Sequence, residues 1–107
     1  MLQERIYVNL GVLNYYLDDF EYSVKYYKKS VELNNENAEN HFYLADSYLE
    51  IKDTNNAIIE FTKAVENENN YYDPNYNLAN IFALRKDYEK AVQYYKNCLQ
   101  IDPSRDS

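Results

Sequence analysis

The sequence predicts an all-α fold in which antiparallel helix-turn-helix repeats, three in number, stack into an α-solenoid. Three observations carry that prediction. Shifting the 107-residue chain by 34 residues brings Leu78-Ala79 onto Leu44-Ala45 and then onto Leu10-Gly11 without a gap, and a fixed period of this length marks stacked helical hairpins. Within each copy, apolar residues recur three or four positions apart, which lines one face of a helix. Between these stripes an Asp stands at the same offset in every copy (Asp19, Asp53 and Asp87), where its side chain can accept the free N–H groups at the start of a new helix.

In chain order, the first helix covers Leu2 to Leu17 on the stripe Ile6, Leu10, Leu13 and Leu17. Asp18-Asp19 interrupts it, Asp19 caps the next, and that helix runs from Phe20 to Leu33 on Phe20, Val24, Tyr27 and Val31. The run Asn34-Asn35-Glu36-Asn37 reads as a tight turn, not a continuous helix, because Asn favours turns and helix ends over helix interiors. The second copy places His41, Leu44, Tyr48 and Ile51 on one helix, then Asp53 as cap and Ile58, Phe61 and Val65 on the next. In the third, Asp73 suits the cap and Pro74 the first helical position, where a missing N–H costs nothing. Asp87 caps the last helix, Pro103 stops it, and residues 104–107 read as a frayed polar tail.

Composition bounds the function. A chain of 107 residues with 46% hydrophobic content is material for one domain, residues 1–107, with a modest core. No apolar run approaches the roughly 18 residues of a membrane span, and the opening Met-Leu-Gln-Glu-Arg-Ile lacks the pattern of a signal peptide. A lone Cys98 excludes an internal disulfide framework and points to a reducing intracellular compartment, the cytoplasm being the simplest. With 18 acidic against 11 basic residues the net charge is −7, which disfavours nucleic acid and favours neutral or basic partners.

Catalytic and metal chemistry find no constellation. His41 and Cys98 fall on different repeats at core-type positions, without the partners that a metal or nucleophile site needs, and read as packing residues. One glycine excludes a Gly-rich phosphate loop, and carboxylate pairs such as Asp18 with Asp19 stand at turns, where solvated capping is their ordinary role. No enzyme activity and no cofactor are expected.

The recurring residues carry a family resemblance. Small residues mark the helix crossings: Gly11, Ser23 and Ser30, then Ala45, Ala57 and Ala64, then Ala79, Ala91 and Cys98. Large ones fill the space beside them, Leu10, Leu44 and Leu78 on the first helices and Tyr27, Phe61 and Tyr95 on the second. This pattern resembles the tetratricopeptide repeat over residues 4 to 105, in copies of about 4–37, 38–71 and 72–105. Tyr7, His41 and Asn75 stand where that family prefers Trp, Asn14 where it prefers an aromatic, and Asn35 and Asn69 where Pro separates copies. Its turn glycine is replaced by Asp18, Lys52 and Lys86, and a Lys held in the left-handed conformation costs about 1 kcal/mol relative to Gly.

The resemblance implies a right-handed solenoid acting as a non-enzymatic protein-interaction scaffold, whose first helices line a concave groove for an extended peptide segment of a partner. Projected onto this chain, the groove takes Val8, Asn9, Val12, Tyr15 and Tyr16 from the first repeat, with Arg5 beside them. The second repeat contributes Phe42, Tyr43, Asp46 and Leu49 between Glu39 and Glu50, and the third Tyr76, Asn77 and Asn80 between Asp73 and Leu84. Asn can serve both the N–H and the C=O of a peptide backbone, and Tyr offers broad area at low rotamer cost. A subgroup of the family grips chaperone C-terminal carboxylates with a Lys, Asn and Arg clamp; Val8, Val12, Tyr43, Asp73 and Asn77 hold those positions here, without a cation, so no such binding is expected. The alternative role is a self-associating module or a piece of a larger array, with Tyr88, Val92, Tyr95 and Leu99 of the C-terminal helix facing solvent and driving weak homo-oligomerisation.

Overall fold

Each of the predicted stripes winds into a helix in a computed structural model, which describes residues 2–105. The order is α1 (Leu2–Tyr16), α2 (Phe20–Leu33), α3 (Ala38–Glu50), α4 (Thr54–Asn67), α5 (Tyr72–Leu84) and α6 (Tyr88–Ile101). These pair as three antiparallel hairpins in a right-handed α-solenoid, with α3 packed on α2 and α5 on α4, in a body measuring 38 × 26 × 24 Å.

The turn inside each hairpin is the same three times. Asp18, Lys52 and Lys86 adopt φ of 60°, 66° and 64°, the left-handed conformation that the missing glycine would have supplied. The residue after each closes a bond back over the helix end: Asp19 N–H to Asn14 C=O at 2.8 Å, Asp53 to Tyr48 at 2.9 Å, Asp87 to Phe82 at 2.9 Å. This pattern satisfies carbonyls that the ending helix leaves open. Asp19 and Asp53 then cap α2 and α4, accepting from the N–H of Tyr22 at 3.5 Å and of Asn56 at 3.3 Å. The run 34–37 is a turn, and Asn37 caps α3 through the N–H of Asn40 at 3.1 Å.

Several start and stop signals act differently from their sequence reading. Asp87 occupies the cap position of α6, but its side chain makes no capping bond. Tyr71, not Asp73, is the cap residue of α5, because the junction closes earlier, with the Tyr71 N–H on the Glu68 carbonyl at 3.2 Å. Asp73 and Pro74 therefore sit inside the first turn, where a carboxylate suits the helix dipole and no N–H is required. The start of the tail is not frayed either: Arg105 pairs with Asp73 at 2.7 Å and lies 4.1 Å over the Tyr72 ring. Asp106 and Ser107 fall outside the described residues.

All nine small crossing residues are buried. Around them Ala45, Ala57, Phe61, Leu78 and Ile81 form one apolar cluster, and Tyr27, Val31 and Leu44 another. The serines do more than save space: Ser23 Oγ donates to the Gly11 carbonyl at 3.0 Å and bonds Ser47 Oγ at 2.9 Å, joining α1, α2 and α3. Asn75, in a slot where the tetratricopeptide repeat prefers Trp or another large residue, is fully buried yet satisfied, its amide donating to the Tyr71 carbonyl at 2.7 Å and its oxygen accepting from Asn97 at 3.2 Å. Among the described residues no buried side-chain polar atom lacks a partner, as a stable interior requires.

The α1 stripe needs correction. Only Leu10 of its four members is partly buried, while Ile6, Leu13 and Leu17 are exposed and the packed face carries Glu4, Val8, Gly11 and Val12 instead. One repeat later, Ser47 holds the position of Leu13 and lies on Ser23 of α2; two repeats later, Ile81 holds it and packs with Ala57 and Phe61 of α4. That side of a first helix is covered by the second helix of the repeat before, and no such helix lies against α1 among the described residues. Ile51 is also exposed, being the C-cap of α3 and not part of its packed face.

Candidate functional site: two pockets on the first helices

Two pockets open on the side of the stack formed by the first helices. The first, of about 260 Å³, lies between α1 and α3 with Tyr27 of α2 at its base, and is lined by Val12, Tyr15, Tyr16, Tyr27, Phe42, Tyr43 and Asp46. The second, of about 420 Å³, lies between α3 and α5 and is lined by Leu49, Thr54, Asn77, Asn80, Ile81, Leu84 and Arg85. Helical spacing produces both, since Val12, Tyr15 and Tyr16, like Asn77, Asn80 and Leu84, recur three or four apart and share a face.

The predicted groove residues distribute as follows. Six of them, Val12, Tyr15, Tyr16, Phe42, Tyr43 and Asp46, meet in the first pocket, and Leu49, Asn77 and Asn80 meet in the second. Val8 instead packs against the cluster of Tyr27, Val31 and Leu44. Asn9 and Tyr76 line neither pocket; Tyr76 is exposed and holds ring contacts with Tyr72 and Tyr95. Sequence reasoning missed Tyr27, Thr54, Ile81 and Arg85. Tyr27 could have been found by its chemistry, because a residue that only fills space is served by Phe, as at Phe61, whereas a phenol asks for a polar outlet.

Ring geometry makes the first pocket an aromatic enclosure. Tyr27 and Tyr43 stack with centroids 5.7 Å apart at 25°, Phe42 stands at 5.6 Å and 62° to Tyr43, and Tyr15 meets Tyr16 edge-on at 6.3 Å. Carboxylates frame it. Burial first, then a hydrogen bond to Asp46, with Glu50 adding charge, push the Tyr15 hydroxyl above the usual phenol range. Burial and then Glu39 do the same to Tyr43, and burial, Tyr43 and Asp46 to Tyr27. These phenols stay neutral donors at physiological pH, beside the carboxylates of Glu39, Asp46 and Glu50.

A second polar centre lies at the junction of the first two repeats. The His41 ring, its side chain 3% exposed, places Nδ1 2.7 Å from Glu60 Oε1 and Nε2 2.8 Å from the Asn35 carbonyl. Both partners accept hydrogen bonds, so the doubly protonated ring satisfies both. The bond to Glu60 is the main cause of a raised His41 pKa, opposed by burial. His41 is thus a structural tie between the 34–37 turn and α4, and Cys98 is buried, its thiol 3.9 Å from the Tyr72 carbonyl. Among the described residues no group of His, Cys, Asp and Glu could hold a metal ion, and no helix is long and apolar enough to cross a membrane.

Comparisons with known proteins agree on the architecture. Sequence profiles described as the tetratricopeptide repeat match residues 4–37, 38–71 and 73–105. No curated protein matches the chain. Among solved structures, MamA superposes with a TM-score of 0.91 at 17% identity over 97% of this chain and 61% of that one. YrrB, described as a TPR protein with an unusual peptide-binding site, gives 0.87 at 22% identity over 98% of this chain and 54% of that one. The first TPR domain of Spaghetti (RPAP3), bound to the HSP90 peptide SRMEEVD, gives 0.89 at 15% identity over 97% of this chain and 82% of that one. This chain therefore spans somewhat more than half the length of the first two, and at these identities the likeness is one of fold.

Proposed function

The chain belongs to the tetratricopeptide repeat family, and from that premise we propose that it is a non-enzymatic scaffold holding an extended peptide segment of a partner protein along α1, α3 and α5. The observation that carries this reading is the pair of pockets on successive first helices. A peptide laid across them meets rings in the first pocket and amides, aliphatic carbons and Arg85, itself bonded to Asn55, in the second, so side-chain anchoring and backbone hydrogen bonding are both available. Peptide-bound relatives such as the Spaghetti domain support the mode.

The ligand differs from theirs. An acidic tail of the SRMEEVD kind would meet Glu39, Asp46 and Glu50 where a carboxylate needs cations, leaving like charges facing each other. A neutral or basic segment is the complementary partner. The negative field equally disfavours nucleic acid and an anionic membrane surface, and Cys98, buried and the single cysteine of the sequence, suits a reducing intracellular setting.

The test begins with a peptide selected from a random display library on the folded domain. Calorimetry should show its affinity reduced about tenfold or more by Tyr43→Ala with Asn77→Ala, one residue from each pocket. Unchanged affinity in that double variant overturns the groove reading.

A second reading, self-association through α6, is favoured by one comparison. Val92 and Leu99 are 51% and 60% exposed, while Ile58 and Val65, their counterparts one repeat earlier, are packed against the α4–α5 cluster.

A further inference from the structure

We propose that the pocket between the first two repeats is built for an arginine side chain of the bound segment, an assignment that rests on the groove reading and specifies its chemistry. Three features of the pocket select the occupant. Its walls are aromatic, with the part-exposed rings of Tyr15, Phe42 and Tyr43 and the exposed ring of Tyr16 set over the buried Tyr27, and ring faces attract cations through their quadrupole. Its polar group is Asp46, a carboxylate that lines the pocket together with Tyr15 and with no cation among the lining residues. Its volume of about 260 Å³ has room for one long side chain.

Other occupants fit less well. An apolar side chain would cover Asp46 and take its carboxylate out of water with one donor, which is costly for a buried charge. An acidic side chain would be repelled by Asp46 and Glu50. Between the two cations, the planar, weakly hydrated guanidinium can stack on a ring and offer two parallel N–H groups to a carboxylate, whereas an ammonium remains strongly hydrated. The chain already solves this problem once for itself: the Arg105 guanidinium lies 4.1 Å over the Tyr72 ring while its Nη2 donates to Asp73 at 2.7 Å. Asp46 with its neighbouring rings repeats that combination, ring face plus carboxylate, in a site open to a partner.

The test uses the full 107-residue chain and three blocked tripeptides that differ only in the central residue, arginine, its uncharged isostere citrulline, or lysine. In an amide NMR titration, the arginine peptide is expected to shift resonances around Tyr15, Tyr43 and Asp46, with citrulline about tenfold weaker and lysine weaker than arginine. Asp46→Asn, which keeps an acceptor for Tyr15, should weaken arginine binding about tenfold and abolish the preference over citrulline, while Gln93→Ala, at an exposed position of α6 outside both pockets, should change neither. Equal binding of arginine and citrulline, shifts centred elsewhere, or lysine as tight as arginine overturns the assignment. A display-selected peptide that depends on Tyr43 and Asn77 but tolerates replacement of its arginines by citrulline likewise overturns it, and leaves the groove reading standing.

Discussion

The ring of Tyr27 lies so close to Gly11 that a Cβ built on the glycine would stand 2.9 Å from three ring carbons. The ring cannot swing clear, because it is 3% exposed and stacked on Tyr43. In the second repeat Ala45 occupies the same slot beside Phe61, whose ring meets Phe42 tilted at 52° instead of stacking, and there a methyl is accommodated. Gly11→Ala relieves a helix cost of about 1 kcal/mol and imposes overpacking of about 1–3 kcal/mol, so a net loss of about 1 kcal/mol is expected as a lower urea midpoint. A higher midpoint would mean that the ring withdraws freely.

His41 makes stability fall as pH rises. Its pKa in the folded chain lies above the ordinary 6.5, chiefly through the bond to Glu60. The pair's contribution is therefore fully present below pH 6.5 and is lost as pH climbs through the folded value, when the proton leaves and one acceptor goes unserved. Lys63, 3.4 Å from the other Glu60 oxygen, limits the effect by disfavouring the imidazolium. The difference in unfolding free energy between wild type and Glu60→Gln should be largest near about pH 6 and shrink towards about pH 9. A difference that stays constant over this range contradicts the assignment.

Lys52 and Lys86 carry backbone strain that a glycine in the same turn would not. Both hold φ near 65° and are exposed, so Lys52→Gly and Lys86→Gly should each stabilise the domain, by about 0.5–1 kcal/mol after the greater freedom of glycine in the unfolded chain is counted. Asp18→Gly should gain less, since Asp tolerates this conformation better than Lys. Thermal melts of the three variants check the order, and equal gains at all three sites would remove the side chain from the explanation.

The exposed side of α6 predicts concentration-dependent association. Tyr95 is 36% exposed and its hydroxyl bonds Asn80 of the second pocket, so variants that spare the groove are Val92→Lys with Leu99→Glu. A large apolar side chain gains about 1.5–3 kcal/mol on full burial, enough for a few together to drive weak self-contact. Sedimentation velocity over a range of concentrations should show the wild type growing in size and the double variant remaining small. A wild type that is monomeric throughout excludes the α6 contact.

What the sequence disclosed and what it concealed divide along a physical line. Properties fixed by local chemistry were legible: the 34-residue period, the nine small crossing residues, the caps at Asp19 and Asp53, and the left-handed turns at Asp18, Lys52 and Lys86. Properties fixed by a neighbour distant in sequence were not. Ile6, Leu13 and Leu17 follow helical spacing, yet which side of α1 is covered depends on what packs there, and periodicity within one helix does not say. His41 looked like an apolar filler because Glu60, 19 residues away, gives no local signal of pairing with it. The pockets were partly legible through the family resemblance, whose concave face projected onto α1, α3 and α5 names most lining residues, while Tyr27, on a second helix, reaches the first pocket only through tertiary packing.

The central claim is that ligand lies along the first helices, and crosslinking tests it most directly. A display-selected peptide carrying a photoreactive residue near each end is bound, irradiated and mapped by mass spectrometry. Crosslinks at Val12, Tyr15 or Tyr43 from one end and at Asn77, Asn80 or Leu84 from the other are the predicted result. Crosslinks on the outer faces of α2, α4 or α6 would contradict it.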